Sequence, residues 1–161
     1  KVEFAPAVPL KLEPQDRLFR ALLEQAKANF YTGEKTNVPQ NIKDTIARAV
    51  RALEENPLEA GSVAAQAVRK FTDDSPDVFV MIQENDMPWL PKLRSGTPAE
   101  KKYLNLLLAS FMGGNVRAQL EQNICQDMRN AGLASMKKTY AKIREADPSF
   151  QLRELEQESK R

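Results

Sequence analysis

Apolar side chains recur every three to four residues along most of this chain of 161 residues, with polar side chains between them. Three such stripes are Leu18–Leu22–Ala26–Phe30, Ile42–Ile46–Ala49–Val50–Leu53 and Leu133–Met136–Tyr140–Ile143. This spacing places the apolar residues on one face of an α-helix. The pattern therefore predicts an all-α protein, a single bundle of about six to seven helices packed as helical hairpins.

Proline and glycine residues predict where these helices begin and end. Asn56 and Pro57 end one helix and begin the next, because proline suits the first turn of a helix. Residues 97–100, Thr-Pro-Ala-Glu, match a capping box that opens another helix. Two interruptions are expected at residues 113–115 (Gly-Gly-Asn) and at residues 130–132 (Asn-Ala-Gly), since glycine disfavours a continuous helix.

The run Val78–Ile82 fits two kinds of element. Its five apolar residues include two valines, which are common in buried strands. No partner strand is visible elsewhere in the chain. We therefore expect a short buried helix at this position.

The same signals predict the organisation of the chain. Pro6 and Pro9 favour an extended N-terminal arm, either a leader or a strap over a groove, and its apolar side chains favour packing. Trp89 lies between two prolines, where it can serve as a recognition residue or plug the core. The predicted parts are an arm (1–12), a helical domain (13–150) with sub-units 13–84 and 97–150 joined by a Pro/Trp linker (85–96), and a charged tail (151–161) that docks at most through Leu152 and Leu155.

The composition removes most of the usual catalytic groups. The chain has no histidine and one cysteine, Cys125, and it contains no phosphate-loop, dinucleotide-binding or serine-hydrolase motif. The acidic residues within 73–86 lack the spacing of a calcium loop, so helix capping and a solvated surface explain them. We therefore predict no catalytic residue, no cofactor and no metal site.

The charge pattern limits the classes of partner that are expected. A net charge of +2 is too small to indicate nucleic acid. The basic cluster in residues 137–144 lacks an aromatic stacking platform, so nucleic acid is not expected as a partner. No apolar run reaches the roughly 20 residues that a membrane span needs. The chain starts at Lys1 without methionine, which is compatible with a processed mature chain, and it indicates no compartment.

Two stretches of the chain, residues 28–33 and 109–114, share the pattern A-x-F-x-x-G. Each is followed, after a longer helical stretch, by a helix end with an Asn-Pro or Asp-Pro step, at 56–57 and 147–148. Tyr140 stands before the second step, where an aromatic residue is preferred in the tetratricopeptide family that these features resemble. The intervals between glycine and proline are longer than the second helix of that family. The resemblance implies a partner-binding scaffold of helical hairpins without catalysis.

These observations predict a non-catalytic protein with protein partners, an interaction, accessory or structural subunit of a larger assembly. The alternative is a carrier of a small apolar ligand or lipid, with a pocket between helices. A large closed apolar cavity would favour the carrier, whereas a solid core with an exposed apolar patch would favour the subunit. The candidate partner-binding residues lie in the arm and in the linker: Phe4, Val8, Leu10, Met87, Trp89, Leu90 and Leu93.

Overall fold

The computed structural model of the protein describes residues 38–158. This part contains six helices: α1 (Gln40–Glu55), α2 (Pro57–Asp74), α3 (Lys92–Ser95), α4 (Pro98–Gln122), α5 (Arg129–Ala146) and α6 (Arg153–Glu158). No β-strand occurs among these residues, and the predicted all-α class is confirmed for them. The predicted arm (1–12) and the predicted helix through Leu18 and Phe30 lie outside the described residues.

The first two helices form a hairpin whose apolar faces meet. The predicted stripe on α1, from Ile42 to Leu53, is buried. The chain turns at Asn56, whose backbone N–H donates to the carbonyl of Ala52 at 2.9 Å. Pro57 occupies the first turn of α2, as predicted, because a first-turn residue needs no N–H for the helical ladder.

The longest helix, α4, lies at the centre of the bundle. Every residue from Leu106 to Val116 is buried, because α1, α2 and α5 all pack against this helix. The predicted capping box opens it, since the Thr97 hydroxyl accepts a hydrogen bond from the backbone N–H of Glu100 at 3.2 Å. One apolar core includes residues from both predicted sub-units and from the linker.

The predicted interruption at residues 113–115 is wrong, because α4 runs through it without a break. A Cβ atom on Gly113 would lie 2.8 Å from Cγ2 of Val50, and one on Gly114 would lie 2.4 Å from Cβ of Ser135. Carbon atoms that are not bonded do not approach so closely without repulsion. The two glycines therefore allow α1 and α5 to pack directly against the α4 backbone.

The predicted interruption at residues 130–132 is also wrong, because α5 includes all three residues. Gly132 faces α4, where an added Cβ atom would lie 2.7 Å from the carbonyl oxygen of Phe111. The break lies earlier: α4 ends at Gln122 because Asn123 adopts a left-handed conformation, with φ 52° and ψ 42°. Asparagine tolerates this conformation better than most residues, so the chain turns there.

The predicted short buried helix at residues 78–82 is wrong as well. These residues form no helix, and Phe79 and Met81 are exposed. The backbone N–H and C=O of Phe79 are bonded to the side chain of Gln119. A side chain 40 residues away in sequence thus replaces the local hydrogen bonds that a helix would have used.

The linker and the tail both dock on the bundle. Trp89 from the linker is fully buried in the core. Leu152 and Leu155 are buried too, so the predicted docking of the tail through these two residues is confirmed. Just before them, the ring of Phe150 packs on the ring of Tyr103 with a centroid distance of 4.9 Å.

Candidate functional site

Four large apolar side chains are exposed in the part of the chain that the structure describes: Phe79 (50%), Met81 (45%), Ile82 (43%) and Ile124 (42%). We call these four residues the apolar ridge. Three of them belong to the segment between α2 and α3, and the fourth follows the end of α4. Single exposed apolar residues are normal on a protein surface, whereas a contiguous group of them marks an interaction site.

The two pieces of chain that carry the ridge are in contact. The backbone N–H of Met81 donates to Oδ1 of Asp127 at 3.1 Å. The Sγ atom of Cys125 lies 4.0 Å from the carbonyl oxygen of Pro76. The segment before α3 and the loop between α4 and α5 therefore lie side by side, and together they form one surface.

The segment 78–82 alternates between inward and outward side chains. Val78 is buried, and Val80 is partly buried against the core. Phe79 and Met81, which lie between and after them, are exposed. A period of two is typical of an extended backbone. The two valines attach the segment to the bundle and leave the two larger side chains in solvent.

The amide of Gln119 holds the backbone of this segment. Its Nε2 atom donates to the carbonyl oxygen of Phe79 at 2.7 Å, and its Oε1 atom accepts from the N–H of Phe79 at 3.0 Å. Gln119 is only 1% exposed, although glutamine is seldom buried. A primary amide has the same donor and acceptor as a peptide group, so this side chain acts as a substitute for a neighbouring strand.

A second buried amide, that of Asn115, extends this arrangement to the loop between α4 and α5. Its Nδ2 atom donates to Oδ1 of Asp127 at 2.7 Å. Its Oδ1 atom accepts hydrogen bonds from Nε2 of Gln119 and from the N–H of Met128, both at 2.7 Å. Asp127 in turn accepts from the N–H of Met81. One connected network therefore fixes both pieces of the ridge to α4.

The network constrains the backbone of the ridge. A buried polar network whose members are all bonded favours one conformation, because each lost bond leaves an unsatisfied polar group. A surface that is already held in one conformation loses less conformational entropy when a partner binds. The hydrogen bonds thus fix the backbone of Phe79 and Met81, while their side chains stay exposed.

Acidic residues surround the segment that carries most of the ridge. From Phe71 to Pro91 the chain has no lysine or arginine, and it has five acidic residues. Asp86 is 6% exposed and accepts a hydrogen bond from Nε of Arg129 at 2.8 Å. The other four, which we call the acidic rim, are half-buried or exposed: Asp73, Asp74, Asp77 and Glu84. Phe79, Met81 and Ile82 therefore lie in an acidic stretch of the sequence, while Lys43 lines the recess that contains Ile124 and Asp77.

None of the partner-binding residues predicted from the sequence belongs to the apolar ridge. Met87 and Trp89 have no exposed surface, so Trp89 plugs the core and neither side chain is available to a partner in this conformation. Leu90 and Leu93 are partly buried against the core. The three predicted arm residues, Phe4, Val8 and Leu10, lie outside the described residues.

The apolar run at 78–82 predicts a buried helix, so the sequence alone does not identify the ridge. One signal was present in the sequence: Val78 and Val80 alternate with Phe79 and Met81, as in an extended segment with one buried face. The side chain that holds the segment, Gln119, has no local feature that distinguishes it from other glutamines. Its role is visible only in the folded chain.

A separate recess of about 370 Å³ lies between the start of α4 and the loop after α5. At its wall the hydroxyl of Tyr103 donates to Oδ2 of Asp147 at 2.8 Å. This hydrogen bond raises the pKa of Tyr103 above its ordinary value, and desolvation adds to the effect. Hydrogen bonds from Ser149, and then the one from Tyr103, lower the pKa of Asp147. The hydrogen bonds among Tyr103, Asp147 and Ser149 thus link the start of α4 to the loop after α5.

Residues 38–158 offer neither a metal-binding cluster nor a membrane-spanning helix. In this range no three side chains of cysteine, aspartate or glutamate are grouped closely enough to hold a metal ion. None of the helices described here has the length and apolar character needed to cross a bilayer.

Comparison of the chain with protein-family models, with curated protein sequences and with solved structures gives no match.

Proposed function

We propose that this protein is a non-catalytic interaction subunit that binds a protein partner through the apolar ridge. The observation that carries the proposal is that buried side chains hold the backbone of the ridge while its apolar side chains stay in solvent. Burying a side chain of this size contributes about 1.5–3 kcal/mol. A surface with four such side chains is therefore more stable when a partner covers it.

The acidic rim indicates the chemistry of the partner. An apolar contact gives affinity, while complementary charges around it increase the association rate and exclude wrong partners. Because Asp77 and Glu84 stand two residues from Phe79 and Ile82 in the sequence, the partner segment that fits has apolar side chains flanked by lysine or arginine. The negative charge also disfavours nucleic acid at this surface.

The packing favours an interaction subunit over a carrier of apolar ligands. Two recesses among the described residues are both partly open to solvent, and the larger of the two is lined by charged residues such as Lys92, Glu100 and Asp147. In the core, Gly113 and Gly114 are in such close contact with α1 and α5 that an added methyl group would overlap its neighbours. A tightly packed core with an exposed apolar patch supports the interaction proposal.

The test compares three forms of the full chain as bait in an extract of the native source. The wild type is compared with F79S/M81S, which makes the ridge polar, and with F79L/M81L, which keeps it apolar. Phe79 and Met81 are about half exposed, so we expect F79S/M81S to lower the free energy of unfolding by about 1–3 kcal/mol and F79L/M81L by less. Quantitative mass spectrometry identifies the captured proteins, and circular dichroism verifies the fold.

We expect F79S/M81S to lose a specific captured protein at least tenfold, and F79L/M81L to retain it. Hot-spot residues near the centre of an interface cost about 2 kcal/mol or more when truncated, so one hot spot at Phe79 or Met81 is enough for such a loss. Equal capture by all three forms would show that the ridge is not the binding surface. Turnover of a small molecule by the isolated chain would contradict the non-catalytic proposal.

A further inference from the structure

We propose that the protein partner binds as an extended segment that pairs with the open backbone edge of residues 78–82, in the manner of an added β-strand. The inference rests on the proposed function, since it states how a partner occupies the apolar ridge. The occupant is an extended segment of another protein, with apolar side chains at alternate positions and a lysine or arginine beside them.

One edge of the segment 78–82 is already occupied. In an extended backbone the N–H and C=O of one residue point to the same edge, and those of the next residue point to the opposite edge. Both backbone groups of Phe79 are bonded to the amide of Gln119, and the N–H of Met81 is bonded to Asp127. The side chains of α4 and of the following loop therefore cover this edge.

The other edge of the segment is open. Val80 lies between Phe79 and Met81, so its backbone N–H and C=O point away from Gln119. Within residues 38–158 no hydrogen bond is made by the backbone of Val80 or of Ile82. The side chain of Val80 packs against the core, which attaches this edge to the bundle. An unpaired strand edge is a template for pairing with another chain.

The peptide groups of Val80 decide between an extended partner and a helical one. A partner that covers Phe79 and Met81 also removes water from the adjacent edge. An unsatisfied buried peptide group is costly, so the partner must offer an acceptor and a donor at Val80. One residue of an antiparallel strand offers both, because it exchanges two hydrogen bonds with the residue opposite. A helix uses these groups in its own ladder.

The same pairing determines which side chains the partner needs. Residues opposite Phe79 and Met81 place their side chains on the outward face, next to these two exposed side chains. Apolar residues at these alternate positions therefore bury the ridge. Glu84 is exposed two residues after Ile82, so a lysine or arginine at that end of the added strand supplies the opposite charge.

A second copy of this chain fits the open edge less well. Antiparallel pairing of two copies about Val80 would place Glu84 of each copy opposite Pro76 of the other, next to Asp77. Like charges on neighbouring strands are destabilising. This favours a basic segment of another protein as the occupant.

The test uses a displayed library of random peptides of about 12 residues, longer than most strands, as the probe. Peptides are selected on the full chain after depletion on F79S/M81S, so that ligands of the ridge remain. We expect selected peptides with apolar residues at alternate positions and at least one lysine or arginine. Failure to select any peptide that binds the wild type, or selection of peptides that become helical when bound, would overturn the proposal.

Hydrogen exchange of the ¹⁵N-labelled wild type measures the pairing at Val80. We expect the selected peptide to slow exchange of the Val80 amide by about tenfold or more, because the peptide accepts its hydrogen bond. The amides of Phe79 and Met81 are internal controls that should change less, since they are bonded in the free protein. An unchanged Val80 amide in the complex contradicts the pairing. Protection that rises with protein concentration without peptide would identify a second copy as the occupant and overturn the proposal.

Two substitutions separate the backbone of Val80 from its side chain. V80P removes the N–H and keeps an apolar side chain, whereas the matched control V80A keeps the N–H and shortens the side chain. We expect V80P to bind the selected peptide about 5–100-fold more weakly, and V80A to stay within about threefold of the wild type. Equal affinities of V80P and V80A, with both folds verified by circular dichroism, would refute the pairing.

N-methylation of the peptide tests the same hydrogen bonds without changing the protein. Methylation at successive residues should weaken binding at every second position, because only alternate N–H groups of a strand point to one neighbour. Binding that is insensitive to methylation, or equally sensitive at all positions, would count against an added strand.

The two proposals fail in different ways. If F79S/M81S loses its captured protein but the selected peptides leave the Val80 amide unprotected, the strand pairing is wrong and the interaction function stands. If the peptides protect the Val80 amide but F79S/M81S captures the same proteins as the wild type, the edge pairs with strands and the interaction function is wrong.

Discussion

Replacement of Gln119 by methionine tests the hydrogen-bond network on which the ridge depends. Methionine has nearly the length of glutamine and can occupy the same buried space, but it cannot replace the amide. The substitution removes the two hydrogen bonds to the backbone of Phe79 and the one to Asn115. The backbone groups of Phe79 must then find water or stay unsatisfied.

The expected cost follows from these three bonds. Each contributes about 0.5–1.5 kcal/mol net, and an unsatisfied buried group costs about 1–3 kcal/mol. Part of this cost is avoided if Phe79 moves toward solvent, so we expect Gln119→Met to lower the free energy of unfolding by about 2–4 kcal/mol. For a chain of this length the midpoint of thermal unfolding should fall by about 4–16 °C.

Urea unfolding measures the global effect, and hydrogen exchange of the Phe79 and Met81 amides measures the local one. The matched control is Gln122→Met, because Gln122 lies on the same helix and is exposed. We expect the control to change the stability by less than about 0.5 kcal/mol. If the two variants are equally stable, or if the exchange rates of both amides match the wild type in Gln119→Met, the network does not hold the segment.

Two further predictions concern the packing and the buried ion pair. Gly114→Ala should cost about 1–3 kcal/mol through overlap with Ser135 and with the carbonyl oxygen of Ala131, and Ser135→Gly should relieve the part due to Ser135 in a double-mutant cycle by urea unfolding; purely additive effects would contradict the close contact with Ser135. Glu54 is 8% exposed and accepts hydrogen bonds from Arg117 at 2.8 and 3.0 Å. Burial raises the pKa of Glu54, but the hydrogen bond and charge of Arg117 lower it further, so the folded-state pKa lies below the ordinary 4.5. Ionised Glu54 thus stabilises the fold above pH 4.5, and this contribution is lost as the pH falls through the folded-state pKa. Glu54→Gln should therefore cost about 1–3 kcal/mol at pH 7 and clearly less at pH 3; equal costs at both pH values would refute this assignment.

Most of the helices could be predicted because their signals are local. The apolar stripes of α1 and α5, the proline that starts α2 and the capping box at Thr97 each lie within a few residues of the structure that they specify. The docking of the tail through Leu152 and Leu155 was also predictable, since two apolar residues in a charged stretch have one favourable place to go.

The glycines and the candidate site could not be predicted in the same way. Glycine weakens an isolated helix, and this local effect predicted breaks at Gly113 and Gly132. In the bundle both glycines lie inside helices, because close contact with α1 and with α4 outweighs the lost helix propensity. The apolar run at 78–82 favours a buried helix because the sequence shows no partner strand. In the folded chain the partner of this segment is a side chain, that of Gln119, which bonds the backbone of Phe79.

The sequence by itself determined the fold class and the faces that form the core, because helical periodicity depends on neighbours three or four residues apart. Only the tertiary structure decided which apolar residues stay in water. That outcome depends on a buried amide 40 residues from the backbone that it holds, the amide of Gln119 with its bonds to Phe79. A glutamine in a helix predicts a solvated surface, and folding places this one in the core because the peptide group of Phe79 satisfies its amide.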